Sequence, residues 1–174
     1  TFQTAVTALS TSAKFNAQTA TSANTANFTA TASGSATIGD YAVTVNQLAK
    51  SQKIAMDGVT NVTDVIGTGT LTIGFGTFTP AVVSPATPAS FTPNAAKADL
   101  TITIDSSNNT LAGVRDAINA ANGSVSATIV NDGSSNRLVI TSKDTGEVNS
   151  LKITVADDDG VSTDATGLSK LAYD

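Results

Sequence analysis

The sequence predicts an α+β fold that is mostly β, and three features predict it. Val (15) and Ile (10) together far outnumber Leu (9), and β-branched residues suit the pleated surface of a strand. Apolar residues alternate with Thr and Ser in a series of short runs, which is the period of a half-buried strand. One internal stretch, TLAGVRDAINAANG, instead carries helical spacing with start and stop signals.

Taken in order, residues 1–15 place Phe2, Val6, Leu9 and Ala13 on one face of a helix. The stripe is thin and Thr-rich, and an isolated helix under about 12–15 residues is marginal in water. The segment reads as the end of a longer helix that packs on something else. Residues 16–35 are low-complexity Ala, Thr, Ser and Asn. Phe28, Ala30 and Ala32 alternate there, so a strand with a weak inner face and a plain linker are both open. Gly39-Asp40 is a turn signal, and the alternation of Tyr41, Val43 and Val45 predicts a strand. A short apolar piece, Ile54 to Met56, follows.

Residues 57–80 surround the strand TLTIGF with Gly58, Gly67, Gly69, Gly74 and Gly76. All four prolines (Pro80, Pro85, Pro88 and Pro93) fall in 80–98. Proline cannot donate to a sheet ladder, so this segment is an excursion or a sheet edge. Phe75, Phe78 and Phe91 flank it, as an exposed sticky patch or as satellite core.

The second half is clearer. ADLTITID alternates Leu100, Ile102 and Ile104 as a strand. In the helical stretch, Asn109 or Thr110 can cap the first N–H groups. Leu111, Val114 and Ile118 share a face, and Gly123 can take the left-handed stop conformation. SVSATIV alternates again, NDGSSN is a turn, and RLVITS returns as the second arm of a hairpin. LKITVA is a last strand before the acidic run Asp157-Asp158-Asp159-Gly160. This order describes one short helix packed on a small antiparallel sheet. No internal repeat is visible.

At 174 residues the chain is long enough for one large domain or two small ones, with a real core. Thr, Ala and Ser account for 74 residues and charged side chains for only 13%, a surface suited to packing side by side. The net charge of −5, with nine scattered Lys and Arg, argues against nucleic acid as a partner. No run approaches the roughly 20 apolar residues of a membrane span. No signal peptide is visible, and the chain begins mid-pattern, as a fragment would. The absence of Cys and His excludes disulfides, thiolate chemistry and imidazole acid–base catalysis.

Three stretches invite chemistry, and each has a plainer reading. Asp157-Asp158-Asp159-Gly160 suggests calcium, but the spacing fits no twelve-residue loop with a closing Glu, so a solvated acidic turn is favoured. Arg115 and Asp116, with Asp105 nearby, read as a surface ion pair rather than an acid–base couple. GTGTLTIGFG lacks the Lys-Ser/Thr ending of a phosphate loop, so its glycines mark bulges and turns. No catalytic, cofactor-binding or metal-ligating residue is singled out, and no cofactor is expected.

The segment TITIDSSNNTLAGVRDAINAANGSVSATIVNDGSSNRLVITS, Thr101 to Ser142, resembles a motif shared by flagellins and flagellar hook-associated proteins. The start of the chain narrows this. TFQTAVTALSTSAKF followed by GDYAVTVNQLAKSQKIA resembles the upstream part of the flagellar hook-associated protein 2 family, the filament-capping proteins. There a leg helix leads into a strand of the form YxVxVxQLAxxQK. Tyr41, Val43, Val45, Gln47, Leu48, Ala49, Gln52 and Lys53 fit that form.

The resemblance implies coiled-coil-like legs and two β-rich head domains, one inserted in the other. On that pattern residues 1–15 end a leg helix and 16–60 begin the proximal head domain. Residues 61–160 form the inserted distal domain, and 161–174 return into the proximal one. It also implies a secreted, non-enzymatic structural component of the cap at the flagellum's distal tip. Such a cap promotes flagellin polymerisation and prevents monomer leakage. The implied partners are flagellin subunits, other copies in a ring-like homo-oligomer, and hook–filament junction proteins, with no membrane insertion. Two other readings stay open: a tip-exposed adhesin for host mucin or surface glycans, and the variable outer domain of a flagellin. An adhesin has little aromatic platform to work with, given 2 Tyr and no Trp. An enzyme would need a site built from scattered Asp, Lys and Arg alone.

Overall fold

A computed structural model describes residues 2–9 and 17–173. The chain divides into two compact units, residues 1–46 and 47–174. In the first unit, helix α1 spans Phe2–Leu9. The rest of the predicted helix, including Ala13, lies outside the described residues.

Residues 17–46 contain turns but no strand. One turn is closed by the Asn27 and Phe28 N–H groups donating to the Asn24 carbonyl. The predicted strand at Tyr41, Val43 and Val45 is therefore not formed. A strand needs a hydrogen-bonded neighbour, and among the described residues no backbone bond joins 41–46 to another segment. Tyr41, Val43 and Val45 instead stand 73%, 61% and 67% exposed. The Tyr41 hydroxyl donates to the nearby Thr37 carbonyl at 2.9 Å.

The second unit is built on two antiparallel sheets around one core. The first has the order β1 (Lys53–Ala55), β8 (Asn136–Ser142), β7 (Val125–Asn131). The second is organised by the eleven-residue strand β2 (Gly69–Thr79). One edge of β2 pairs with β9 (Ser150–Asp157) from Gly69 to Gly76. The other edge is shared between β6 (Leu100–Ile104) and β5 (Ser90–Pro93). Between β2 and β5 the Pro-rich segment forms a small hairpin, β3 (Val82–Val83) with β4 (Ala86–Thr87). The prolines therefore mark a sheet edge, with Pro93 ending β5 where a missing donor costs least.

Two-residue alternation sends Leu71, Ile73 and Phe75 of β2 into the core, opposite Val155, Ile153 and Leu151 of β9. Ile102, Ile104, Val125, Ala127, Leu138 and Ile140 meet them there. Helix α2 (Leu111–Ala120) closes this core with Leu111, Val114 and Ile118, none more than 1% exposed. Ile54 and Met56 from the start of the unit, and Leu168 and Leu171 from its end, join the same cluster.

A ten-residue helix is held at both ends. The Thr110 hydroxyl accepts from the Gly113 N–H, so the predicted cap is Thr110. The Leu111 and Ala112 N–H groups donate to the carbonyls of Asp64 and Val62, which satisfies two more of the helix's otherwise orphaned donors. At the other end the left-handed residue is Asn122 (φ 52°), not Gly123. Asn tolerates that region nearly as well as Gly. The lack of a side chain at Gly123 instead makes room for Leu100, whose Cδ2 would lie 2.8 Å from a β-carbon.

Candidate interaction surface

The face of β2 turned away from the core carries Thr72, Gly74, Gly76 and Phe78. A β-carbon at Gly76 would fall 2.3 Å from the Thr92 carbonyl and 2.7 Å from the Phe91 ring, so the ring lies over bare backbone. Phe78 and Phe91 are register partners across β2 and β5. The Nζ of Lys152 sits 5.9 Å from the Phe91 ring centroid, within cation–π range. Phe78, Phe91 and Lys152, with Gln52, Leu151 and Tyr173, line a cavity of about 190 Å³.

The trio of phenylalanines is thus divided. Phe75 is core, and its ring takes the Lys97 Nζ at 4.8 Å. Phe78 is 45% exposed and Phe91 half-buried, and those two form the surface patch.

The groove is assembled from distant parts of the chain. The Tyr173 N–H and C=O pair with the C=O and N–H of Ile153 on the outer edge of β9. The Gln52 side-chain Oε1 accepts the Leu151 N–H at 2.6 Å, while its backbone carbonyl accepts the Ser142 N–H of β8. Gln52 therefore ties both sheets together. A second, polar cleft of about 460 Å³ lies between Gln47–Lys50 and the loop of Gly146, Glu147 and Ser150.

The charged residues singled out in the sequence hold loops in place. The Asp157 carboxylate accepts the Ser169 N–H at 2.9 Å and the Ser169 hydroxyl at 3.2 Å, which seats the 3-10 helix Gly167–Leu171. Burial pushes this carboxyl up, but hydrogen bonds from Ser169 and Asp159 outweigh it and hold it below its ordinary range. Asp159 accepts from the Val161 N–H two residues on. Asp105 accepts from the backbone and hydroxyl of Ser107, which lower its pKa, and it stands apart from the exposed Arg115–Asp116 ion pair. Among the described residues no three His, Cys, Asp or Glu side chains converge as metal ligands. Nor, among them, is any helix long and apolar enough to cross a membrane.

A β-rich module in which a capped helix leads into a hairpin is shared with proteins of the bacterial flagellum. The chain is similar to the flagellar hook-associated protein 2 family over nearly its whole length. Residues 1–52 match the family model of the flagellar hook-associated protein 2 N-terminus, and residues 90–144 match the flagellin hook IN motif.

A B-type flagellar hook-associated protein 2 from Pseudomonas aeruginosa is 44% identical over 99% of this chain and 33% of its own length. The Escherichia coli K12 flagellar hook-associated protein 2 is 38% identical over 92% of this chain and 31% of its own. The D1-D2-D3 domains of the Escherichia coli flagellar cap protein FliD superpose with a TM-score of 0.61 at 35% identity, covering 99% of this chain and 51% of that one. FliD from Pseudomonas aeruginosa gives 0.53 at 39% identity, over 74% of this chain and 48% of that one. The chain spans about a third of the length of the curated relatives it matches.

Sequence reasoning found the phenylalanines but not Gln52, Lys152 and Tyr173 as their neighbours. Gln52 and Leu151 lie 99 residues apart, and no local pattern signals such a meeting.

Proposed function

We propose that this chain is a head part of the flagellar filament cap, at the distal, extracellular end of the flagellum. The supporting observation is the 44% identity to a flagellar hook-associated protein 2 over nearly the whole chain, with the family's N-terminal match at residues 1–52 followed by the hook motif at 90–144. In this reading residues 1–15 end a leg helix and the rest belongs to the β-rich head. Copies of the protein form a plate over the filament's open end. Flagellin subunits emerging beneath it are retained until they fold and pack. Their own folding supplies the free energy, and the cap sets where it is released.

Nothing in that role needs a bond to be made or broken, which agrees with a chain free of His and Cys. The exposed apolar run Tyr41, Val43, Val45 and Leu48 supports a part that is covered by other protein, because solitary exposed apolar residues are ordinary but a patterned series is not.

The test is genetic. Deleting the parent gene should release unpolymerised flagellin into the medium, and a plasmid copy should stop the release. Full-length filaments without leakage in the deletion strain would overturn the proposal.

A further inference from the structure

β7 is the outer strand of the β1-β8-β7 sheet, and an outer strand offers unpaired backbone groups to any chain that can match them. Its sequence, VSATIVN, is rich in β-branched residues and has no charge, no proline and no glycine. Those are the features of segments that stack with their own copies. Val130 is about half exposed, so part of the strand lies open on the surface.

Helix α2 packs against this strand, and one of its side chains takes the edge's hydrogen bonds. Asn119, in the last turn of α2, donates from Nδ2 to the Ala127 carbonyl at 2.8 Å and accepts the Ala127 N–H on Oδ1 at 2.9 Å. Its carboxamide thereby copies one residue of a neighbouring strand, donor for donor and acceptor for acceptor. The two-residue period puts Val125 and Ile129 on the same outward edge, on either side of the blocked position. A strand arriving there meets an occupied site in the middle of its ladder. Gln52 makes the corresponding contact on β9 by accepting the Leu151 N–H.

We infer that the Asn119 carboxamide is an edge guard, which denies β7 to a second copy of this chain that would add its own β7 as an antiparallel strand. The device keeps a protein made to associate with its neighbours from associating along the wrong edge. A simple fastener between α2 and β7 would cost stability when removed but would not open a specific path to self-pairing.

The test uses Asn119→Leu in the 174-residue chain, with sedimentation equilibrium and thioflavin fluorescence across a concentration series. Two competing hydrogen bonds are worth about thirtyfold in the association constant, and a shift of that order is expected. Adding Thr128→Glu, a charge at an exposed position of the strand whose cross-strand partner Val139 is uncharged, should restore the monomer while moving the urea midpoint of the Asn119→Leu chain little. Unchanged self-association in Asn119→Leu overturns the inference, and so does association that Thr128→Glu fails to suppress. If Asn119→Leu does not fold, Asn119→Ala is run through the same concentration series: its self-association should rise, and an unchanged monomer would contradict the guard.

Discussion

Replacing Ile118 by alanine measures how much of the fold rests on α2. Ile118 is 0% exposed and shares the core with Val114, Val125 and Leu138. The substitution removes three buried carbons. At about 0.8 kcal/mol each, their transfer contributes about 2.4 kcal/mol. The cavity left behind raises the cost to about 3–4 kcal/mol, inside the range for Ile→Ala in a well-packed core. That is a large part of the roughly 5–15 kcal/mol by which a domain of this size is stable. Val43→Ala is the control. Val43 is 61% exposed, so its loss should stay within about 0.5 kcal/mol. Urea unfolding of both variants, with the slope held common, gives the two values directly. A cost below about 1 kcal/mol for Ile118→Ala, or equal costs for both, would refute the close packing of the helix on the core.

Three further expectations follow from individual contacts. Thr110→Ala removes the side-chain cap of α2 and should cost about 1 kcal/mol, while Thr110→Ser should cost little, as read by thermal melts. Gly76→Ala sets a methyl group against the Thr92 carbonyl and the Phe91 ring, so β5 should loosen at a cost of about 1–3 kcal/mol. A lost Phe78–Phe91 ring contact in NMR spectra would report it, and unchanged ring contacts would oppose it. The Asp157 carboxyl is held below its ordinary pKa, so its contribution is present above about pH 4 and fades as the pH falls through the lower folded value. Protection of the Ser169 amide, taken relative to its intrinsic exchange rate at each pH, should accordingly fall on acidification in the unmodified chain and respond less in Asp157→Asn, whereas identical profiles would remove Asp157 from that role.

The parts of the fold legible in the sequence are those fixed by near neighbours. The run from Leu100 to Ser142 contains its own strand, cap, helix and hairpin turn, and each local signal agrees with the others. The left-handed stop moved from Gly123 to Asn122 because either residue tolerates that conformation, and close packing against Leu100 gave Gly123 another use. Alternation at Tyr41, Val43 and Val45 signals a strand, but a strand exists only with a partner, and periodicity carries no information about one. Division of the strands between two sheets was equally hidden. β6 and β9 both pair with β2, while the β7–β8 hairpin between them pairs with β1. The aromatic groove shows the same limit, since Phe78, Phe91, Lys152 and Tyr173 meet only through the sheet order. Asn119 was also unreadable in advance: an Asn near a helix end is ordinary until a strand edge is seen beside it.

The most direct test of the cap assignment is where the protein sits on a living filament. A small epitope in the exposed turn at Gly133, labelled with gold-conjugated antibody, would show it in the electron microscope. A cap part should give one cluster of label at the distal end of each filament and none along the shaft. Label distributed along the whole length would make the chain a filament subunit instead, and would contradict its place in the cap.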